Sequence, residues 1–327
     1  MGICQSSNNS STKNKKIGEN KEIDEPKDTS ITKARTLSTA ASKNNKDYIF
    51  SESFVNHSDI KSKYSLSTEF LGQGSSGTVF EATDVDGKKY AIKSINKFSL
   101  ENVDGLIKEA EISLNISHPH IIKYYEIYED LKTVSFVMDL VEGGDLFNFI
   151  LKSPNNKLDD DVALDLIIQI LETLNYLHNE KGICHRDIKP ENFLILIENS
   201  KPQIKLIDFG FATFIDNKKQ LFDYLGTPVY MAPEIVGKEP YDEKIDLWAA
   251  GIILYNMLTG CQLFRTHSKT TVEDQIVNET IYLGAIENDS LRNLCSNLLE
   301  KDPTQRFSAK RALSYANDIR KKMALKE

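Results

Sequence analysis

The chain has 327 residues, 40% of them hydrophobic, enough to bury a substantial core in one large domain or two modest ones. Its formal net charge of -8 excludes a nucleic-acid surface sustained by overall charge, so small anions must be held by local geometry. Four scattered cysteines, Cys4, Cys184, Cys261 and Cys295, form no CxxC pair, which fits a reducing cytosol better than a zinc site or a disulfide framework.

The first residues, MGICQSS, carry Gly2 and Ser6 in the spacing of an N-myristoylation signal, with Gly2 exposed once Met1 is removed. A single myristoyl chain binds membranes only marginally, with K near roughly 10⁴ M⁻¹, so stable residence needs a second signal. Palmitoylation of Cys4 would supply it, and Lys13, Lys15 and Lys16 would add attraction to anionic lipids. The expected location is the cytoplasm, tethered to the cytoplasmic leaflet, because SSNNSSTKNKK leaves no apolar region for a secretory signal. From Ser6 to Lys63 the chain is rich in Ser, Asn, Lys and Thr without an apolar period. Residues 1–63 are therefore expected to be a disordered, acylated arm.

At Tyr64 the texture changes to short β-rich runs, YSLSTEFLG, GTVFEATD, KKYAIKSI, KYYEIYED and KTVSFVMDL, with a turn at Asp86-Gly87. They predict an antiparallel sheet of about five strands. Between the third and fourth runs, ENVDGLIKEAEISLNIS has helical spacing, with Pro119 as its stop. After Gly143-Gly144 the period shifts to that of helices, most clearly in DVALDLIIQILETLNYLHNEKG, which ends on Gly182. LWAAGIILYNML, Leu247 to Leu258, is about a third short of the roughly 18 residues of a membrane span and reads as a buried helix. The expected class is α+β: a small β-rich lobe over 64–140, a larger helical lobe over 141–317, and a short tail, 318–327.

Gly72-Gln73-Gly74-Ser75-Ser76-Gly77-Thr78-Val79 is a GxGxxGxV run. Such glycines let backbone N–H groups approach phosphate oxygens with no Cβ in the way. Alone, the run could equally be a flexible hairpin turn. A strand follows it where a dinucleotide-binding fold would have a helix, and Ala91-Ile92-Lys93 comes next on a strand. The following helix offers Glu109, or alternatively Glu111, to hold the Lys93 ammonium against phosphates; Glu109 has the better register.

Further on stand His185-Arg186-Asp187-Ile188-Lys189-Pro190-Glu191-Asn192, Asp208-Phe209-Gly210 and Ala232-Pro233-Glu234. Phosphoryl transfer needs magnesium between phosphates, an in-line hydroxyl and compensation of charge. Asp187 can take or orient the hydroxyl proton, Lys189 can offset charge, and Asn192 and Asp208 offer hard oxygen ligands. With these motifs in this order, residues 64–317 resemble a eukaryotic protein kinase domain.

The resemblance implies the bilobal kinase fold, ATP and Mg2+ as cofactors, and protein substrates. It casts Gly72, Gly74 and Gly77 as a phosphate lid, Lys93 and Glu109 as an ion pair, Asp187 as catalytic base, and Asn192 and Asp208 as metal ligands. Leu71, Val79, Ala91 and Leu194 would enclose the adenine, with Met138 behind it. The backbone of Asp139 and Val141 would bond the base, and Asp145 would lie near the ribose. Glu234 would pair with Arg306, Asp246 would fix the catalytic loop, and Thr227 would touch Asp187 and Lys189. Lys189 and Gly226-Thr227-Pro228 are similar to the serine/threonine class, and HPHIIKYYEIYED and DFGFA to the calcium- and calmodulin-dependent group. No stretch matches an EF-hand.

Arg186 beside the catalytic Asp calls for an anion from the activation segment, and Asp223, four residues before Thr227, can supply a permanent carboxylate. Two departures stand out: Ser113 where the family has an apolar residue facing Phe209 and His185, and an atypical loop over 260–275. They leave a membrane-held pseudokinase, acting as an interaction module, as the alternative reading. Asp145 and Glu191 would favour Arg upstream of the acceptor, and Arg35-Thr36-Leu37-Ser38 in the arm makes Ser38 a candidate for autophosphorylation.

Overall fold

The computed structural model describes residues 48–51, 53–74, 77–215, 220–265 and 269–325. Gly2, Cys4 and Ser38 lie outside the described residues, as does the arm up to residue 47. The arm boundary expected at Lys63 does not hold, because the chain joins the folded unit earlier. Phe50 and Val55 are buried, Asn56 bridges in parallel to Tyr128, and Asp59 caps a turn of 3-10 helix over Ile60–Ser62. Ile49, Phe50, Phe54 and Val55 carry this packing, too few apolar residues to leave a period in so polar a stretch.

Strands β1 (Tyr64–Gly74), β2 (Gly77–Asp84) and β3 (Lys89–Asn96) form an antiparallel meander. Asp84 closes the second turn by accepting from the N–H groups of Asp86 and Lys88, each at 2.9 Å, the usual Asx device. Helix α1 (Val103–Asn115) starts on Asn102, whose side chain accepts from Gly105 N at 2.8 Å. It ends at Asn115, short of Pro119, because Ile116 is already extended. Strands β4 (Tyr124–Glu129) and β5 (Thr133–Asp139) complete a five-stranded sheet of order β1-β2-β3-β5-β4. The inner strands supply its core, with Ile92, Val134, Phe136 and Val137 fully buried.

Past Leu140–Gly144 come α2 (Leu146–Lys152) and α3 (Asp160–Asn175). Ten of the sixteen α3 residues are buried, so this helix is the axis of the lower lobe. It runs into a wider turn over Tyr176–Lys181 that closes at Gly182 in the left-handed conformation, φ +63°. Two small ribbons follow: β6 (Ile183–Cys184) pairs with β9 (Thr213–Phe214), and β7 (Phe193–Glu198) with β8 (Lys201–Leu206). Then come α4 (Pro233–Val236), α5 (Lys244–Thr259), α6 (Val272–Asn278), α7 (Asp289–Leu298) and α8 (Ala309–Ala324).

Thirteen of the sixteen residues of α5 are buried, and among the described residues no helix is long and apolar enough to cross a membrane. In the atypical 260–275 loop, Gln275 is buried and its side chain both accepts from Arg265 N and donates to Arg265 O at 2.9 Å. The stretch expected as a tail, 318–327, is the end of α8 as far as Ala324. Ala312, Ala316 and Ile319 are buried in the core, and Arg320 pairs with Asp165 of α3. A stripe of small alanines hid this packing from a reading that sought large apolar residues.

Candidate active site

The site begins on β3, where Ala91 faces Met138 of β5 and Lys93 faces Val79 of β2. Lys93 is buried, with 8% of its side chain exposed, and donates to Glu109 Oε1 at 2.7 Å and Asp208 Oδ1 at 3.1 Å. The helical period puts Glu109 on the inward stripe of α1 with Leu106, Ala110 and Ser113, whereas Glu111 is only half-buried. Burial disfavours the Lys93 ammonium, but the Glu109 and Asp208 carboxylates outweigh it and hold its pKa above the usual lysine value. Burial likewise pushes the Asp208 carboxyl up, yet Lys93 and the Gly210 N–H overcome this and keep it below the usual aspartate value.

Asp187 lies in the loop between β6 and β7 and collects three side chains. Lys189 Nζ is 2.7 Å from Oδ2, Thr227 Oγ1 donates to Oδ1 at 3.0 Å, and Asn192 Nδ2 donates to Oδ2 at 3.1 Å and to the Asp187 carbonyl at 2.8 Å. Lys189 also donates to Thr227 Oγ1 at 3.1 Å. The loop is pinned from below by Asp246, in the first turn of α5. Its carboxylate accepts from the N–H groups of His185 and Arg186, both at 2.9 Å, and from His178 Nε2 at 2.8 Å. Burial pushes the Asp246 carboxyl up, but these donors prevail and its pKa sits below the usual range.

Arg186 reaches the activation segment, donating from Nη1 to Asp223 Oδ2 at 2.6 Å and from Nε to Phe211 O at 2.6 Å. The Tyr241 hydroxyl donates to Asp223 O at 3.0 Å and fixes that stretch. Phe209 is fully buried, its ring centroid 5.1 Å from that of His185. Ser113 is buried too, with no hydrogen-bond partner for its hydroxyl among the described residues. Below the segment, Arg306 holds Glu234 through two bonds of 2.6 and 2.9 Å, and its guanidinium lies 5.2 Å from the centre of the Trp248 ring.

The remaining candidate residues lie on β1, β2, β5, β7 and the linker between the lobes. Leu71, Gly72 and Gly74 end β1, while Gly77 and Val79 begin β2. Gly77 has φ +126°, and a Cβ there would lie 2.6 Å from Ser94 O, so only glycine fits. Asp139 ends β5, and Val141 follows in the linker. Asp145 caps α2, accepting from Asn148 N at 2.7 Å, and bridges to Leu194 of β7, which brings the linker onto the lower lobe.

Two residues of this site belong to no motif of the sequence. Tyr124 of β4 is buried where the charges of Lys93, Glu109 and Asp208 act on its phenol, and burial pushes its pKa up. Strand alternation in KYYEIYED does not say which of the three tyrosines faces inward. His178 reaches Asp246 only through the wide turn after α3, which no sequence pattern marked.

A family model described as protein kinase domain matches residues 65–316. The mouse serine/threonine-protein kinase DCLK3 is 35% identical over 269 residues, covering 79% of this chain and 33% of its own length. Calcium-dependent protein kinase 3 of Plasmodium yoelii yoelii is 35% identical over 263 residues, covering 79% of this chain and 48% of its own. A probable myosin light chain kinase of Dictyostelium discoideum is 35% identical over 263 residues, with 79% and 82% covered. The chain thus spans a third to a half of the length of the mouse and Plasmodium relatives. The matched residues are the two lobes and the cleft just described, and the chain belongs to the protein kinase domain family.

Proposed function

We propose that the chain is a serine/threonine protein kinase that transfers the γ-phosphoryl group of MgATP to protein hydroxyls. The observation that carries this is the Asp187 carboxylate, held by Lys189, Thr227 and Asn192 in a domain where Lys93 is paired with Glu109 and Asp208. Asp187 orients the acceptor hydroxyl and takes its proton as the oxygen attacks the γ-phosphorus. Lys189 offsets negative charge on the group in transfer, and Thr227 keeps both side chains in register. Lys93 holds the nucleotide phosphates under the glycine lid, and Val79, Ala91, Met138 and Leu194 give the base an apolar slot.

Asn192 and Asp208 suit magnesium. Asp208 is kept ionised, and Asn192 commits its amide N–H to Asp187, leaving the carbonyl oxygen as its acceptor, so both offer hard oxygens. When bound, the ion would neutralise charge on the phosphates. Serine/threonine acceptors fit Lys189 and Thr227, and the name of the mouse relative points the same way.

Asp223 serves as the permanent anion for Arg186, so that activity needs no phosphate on the activation segment. Phosphatase-treated protein keeps its activity, whereas Asp223→Ala loses it severalfold; a wild type silenced by phosphatase would refute this role. Acylation of Gly2 and Cys4 brings the enzyme to the cytoplasmic leaflet, where substrates with Arg upstream of the acceptor, and its own Ser38, are phosphorylated. Gly2→Ala should move the protein from the membrane fraction to the soluble one in cells. The reaction itself is tested with MgATP and a mixed peptide set: wild type should incorporate phosphate and Asp208→Asn should not, while equal signals would favour the pseudokinase.

A further inference from the structure

In a sheet of order β1-β2-β3-β5-β4, β4 is an edge. An edge strand left open offers unpaired N–H and C=O groups and is free to shift. Here residues from the supposed arm cover it. Asn56 N donates to Ile127 O at 2.8 Å, and Glu129 N donates to Asn56 O at 2.9 Å.

The cover is anchored by Glu129, whose side chain has no exposed surface. Its carboxylate accepts from Ile49 N at 2.6 Å, Phe50 N at 2.9 Å and Lys97 Nζ at 2.7 Å, and His57 Nε2 lies 3.5 Å from it. Tyr48 stacks on His57 with centroids 4.2 Å apart, and the Lys97 ammonium lies 5.3 Å from the Tyr48 ring. Without these residues, Glu129 would lose the two backbone donors that justify a carboxylate in so enclosed a place.

The same strand enters the active site at its other end. Tyr124 opens β4 and is buried where the charges of Lys93, Glu109 and Asp208 act on its phenol. Tyr124 pairs with Met138 of β5, but the β4–β5 ladder has a bulge between Tyr124 and Glu126, a point at which the strand can bend. The cover also borders α1: a groove beside it is lined by Val55, Leu114 and Ile127 among others, and Phe50 and Val55 share one buried cluster with Leu106, Ala110 and Ile112 of α1.

We propose that residues 48–51 and 53–57 form a latch on β4 that positions Tyr124, and with it the Lys93–Glu109–Asp208 cluster, for phosphoryl transfer. This rests on the kinase reading above. Phe50, Asn56 and Glu129 act as positioning residues at a distance from the substrate.

The test uses the full chain carrying Phe50→Ala with Val55→Ala, and separately Glu129→Gln, with Phe50→Leu as the conservative control. Steady-state kinetics are combined with amide hydrogen exchange. Both weakened latches should lower kcat about tenfold while the peptide KM stays within about twofold, and Phe50→Leu should restore kcat. Exchange should quicken in residues 48–57 and 124–129 but not in 160–175 or 244–259. Faster exchange confined to 48–57, with kcat unchanged, would overturn the latch. A wild type that transfers no phosphate would defeat the kinase reading alone, because the exchange pattern in β4 decides the latch without any activity.

Discussion

Arg186 and Asp208 both adopt positive φ, +68° and +63°, which costs a side chain with a Cβ about 1–2 kcal/mol each. Both are held in place by charge: Arg186 by the Asp246 carboxylate on its N–H, Asp208 by the Lys93 ammonium. Asp246 ties this to pH. Its folded pKa is depressed, so the stability it contributes is complete above the unfolded value, about 3.9, and is lost as pH falls through the lower folded value. Asp246→Asn should therefore cost about 3 kcal/mol at pH 7, with the gap from wild type narrowing in denaturant titrations below about pH 4. Ser113 is the converse case, a buried hydroxyl without a partner among the described residues. Ser113→Ala should stabilise by about 1 kcal/mol, read as a rise in Tm of about 2 °C; a lower Tm would mean that the hydroxyl has a partner after all.

Elements rich in large apolar residues were legible in the sequence, and those held by a few contacts were not. The buried helix α5 and the amphipathic α3 could be read because large apolar residues recur along each of them. The last part of α8 and the latch could not, since alanines and four scattered apolar residues do the packing there. Between elements, the Arg306–Glu234 pair joins the end of the activation segment to the turn before α8. Arg306 also donates to the carbonyls of Glu300, Lys244 and Lys301, so Arg306→Ala strands a buried carboxylate and several acceptors together. A loss of about 3–5 kcal/mol is expected in chemical denaturation; a loss below about 1 kcal/mol would show that water replaces the guanidinium.

At the scale of the whole molecule, the upper lobe brings Lys93 from β3 and Glu109 from α1 to the site, and the helical lobe brings Asp187, Asn192 and Asp208. The charged members of the site were legible because phosphate chemistry calls for those residue types and their order resembles that of the kinase motifs. Tyr124 and His178 were not, because packing alone places them and their spacing repeats no motif. In the proposed reaction both lobes act on one phosphoryl group, and a single-turnover experiment tests this most directly. The protein in excess is mixed with ATP labelled at the γ-phosphate, magnesium and a serine-containing peptide, and phosphoserine is followed with time. Wild type should transfer the label, and Asp187→Asn should be slower by about 10²–10⁴-fold. Equal rates for the two proteins, or no transfer by wild type, would contradict the assignment of Asp187 and with it the kinase activity.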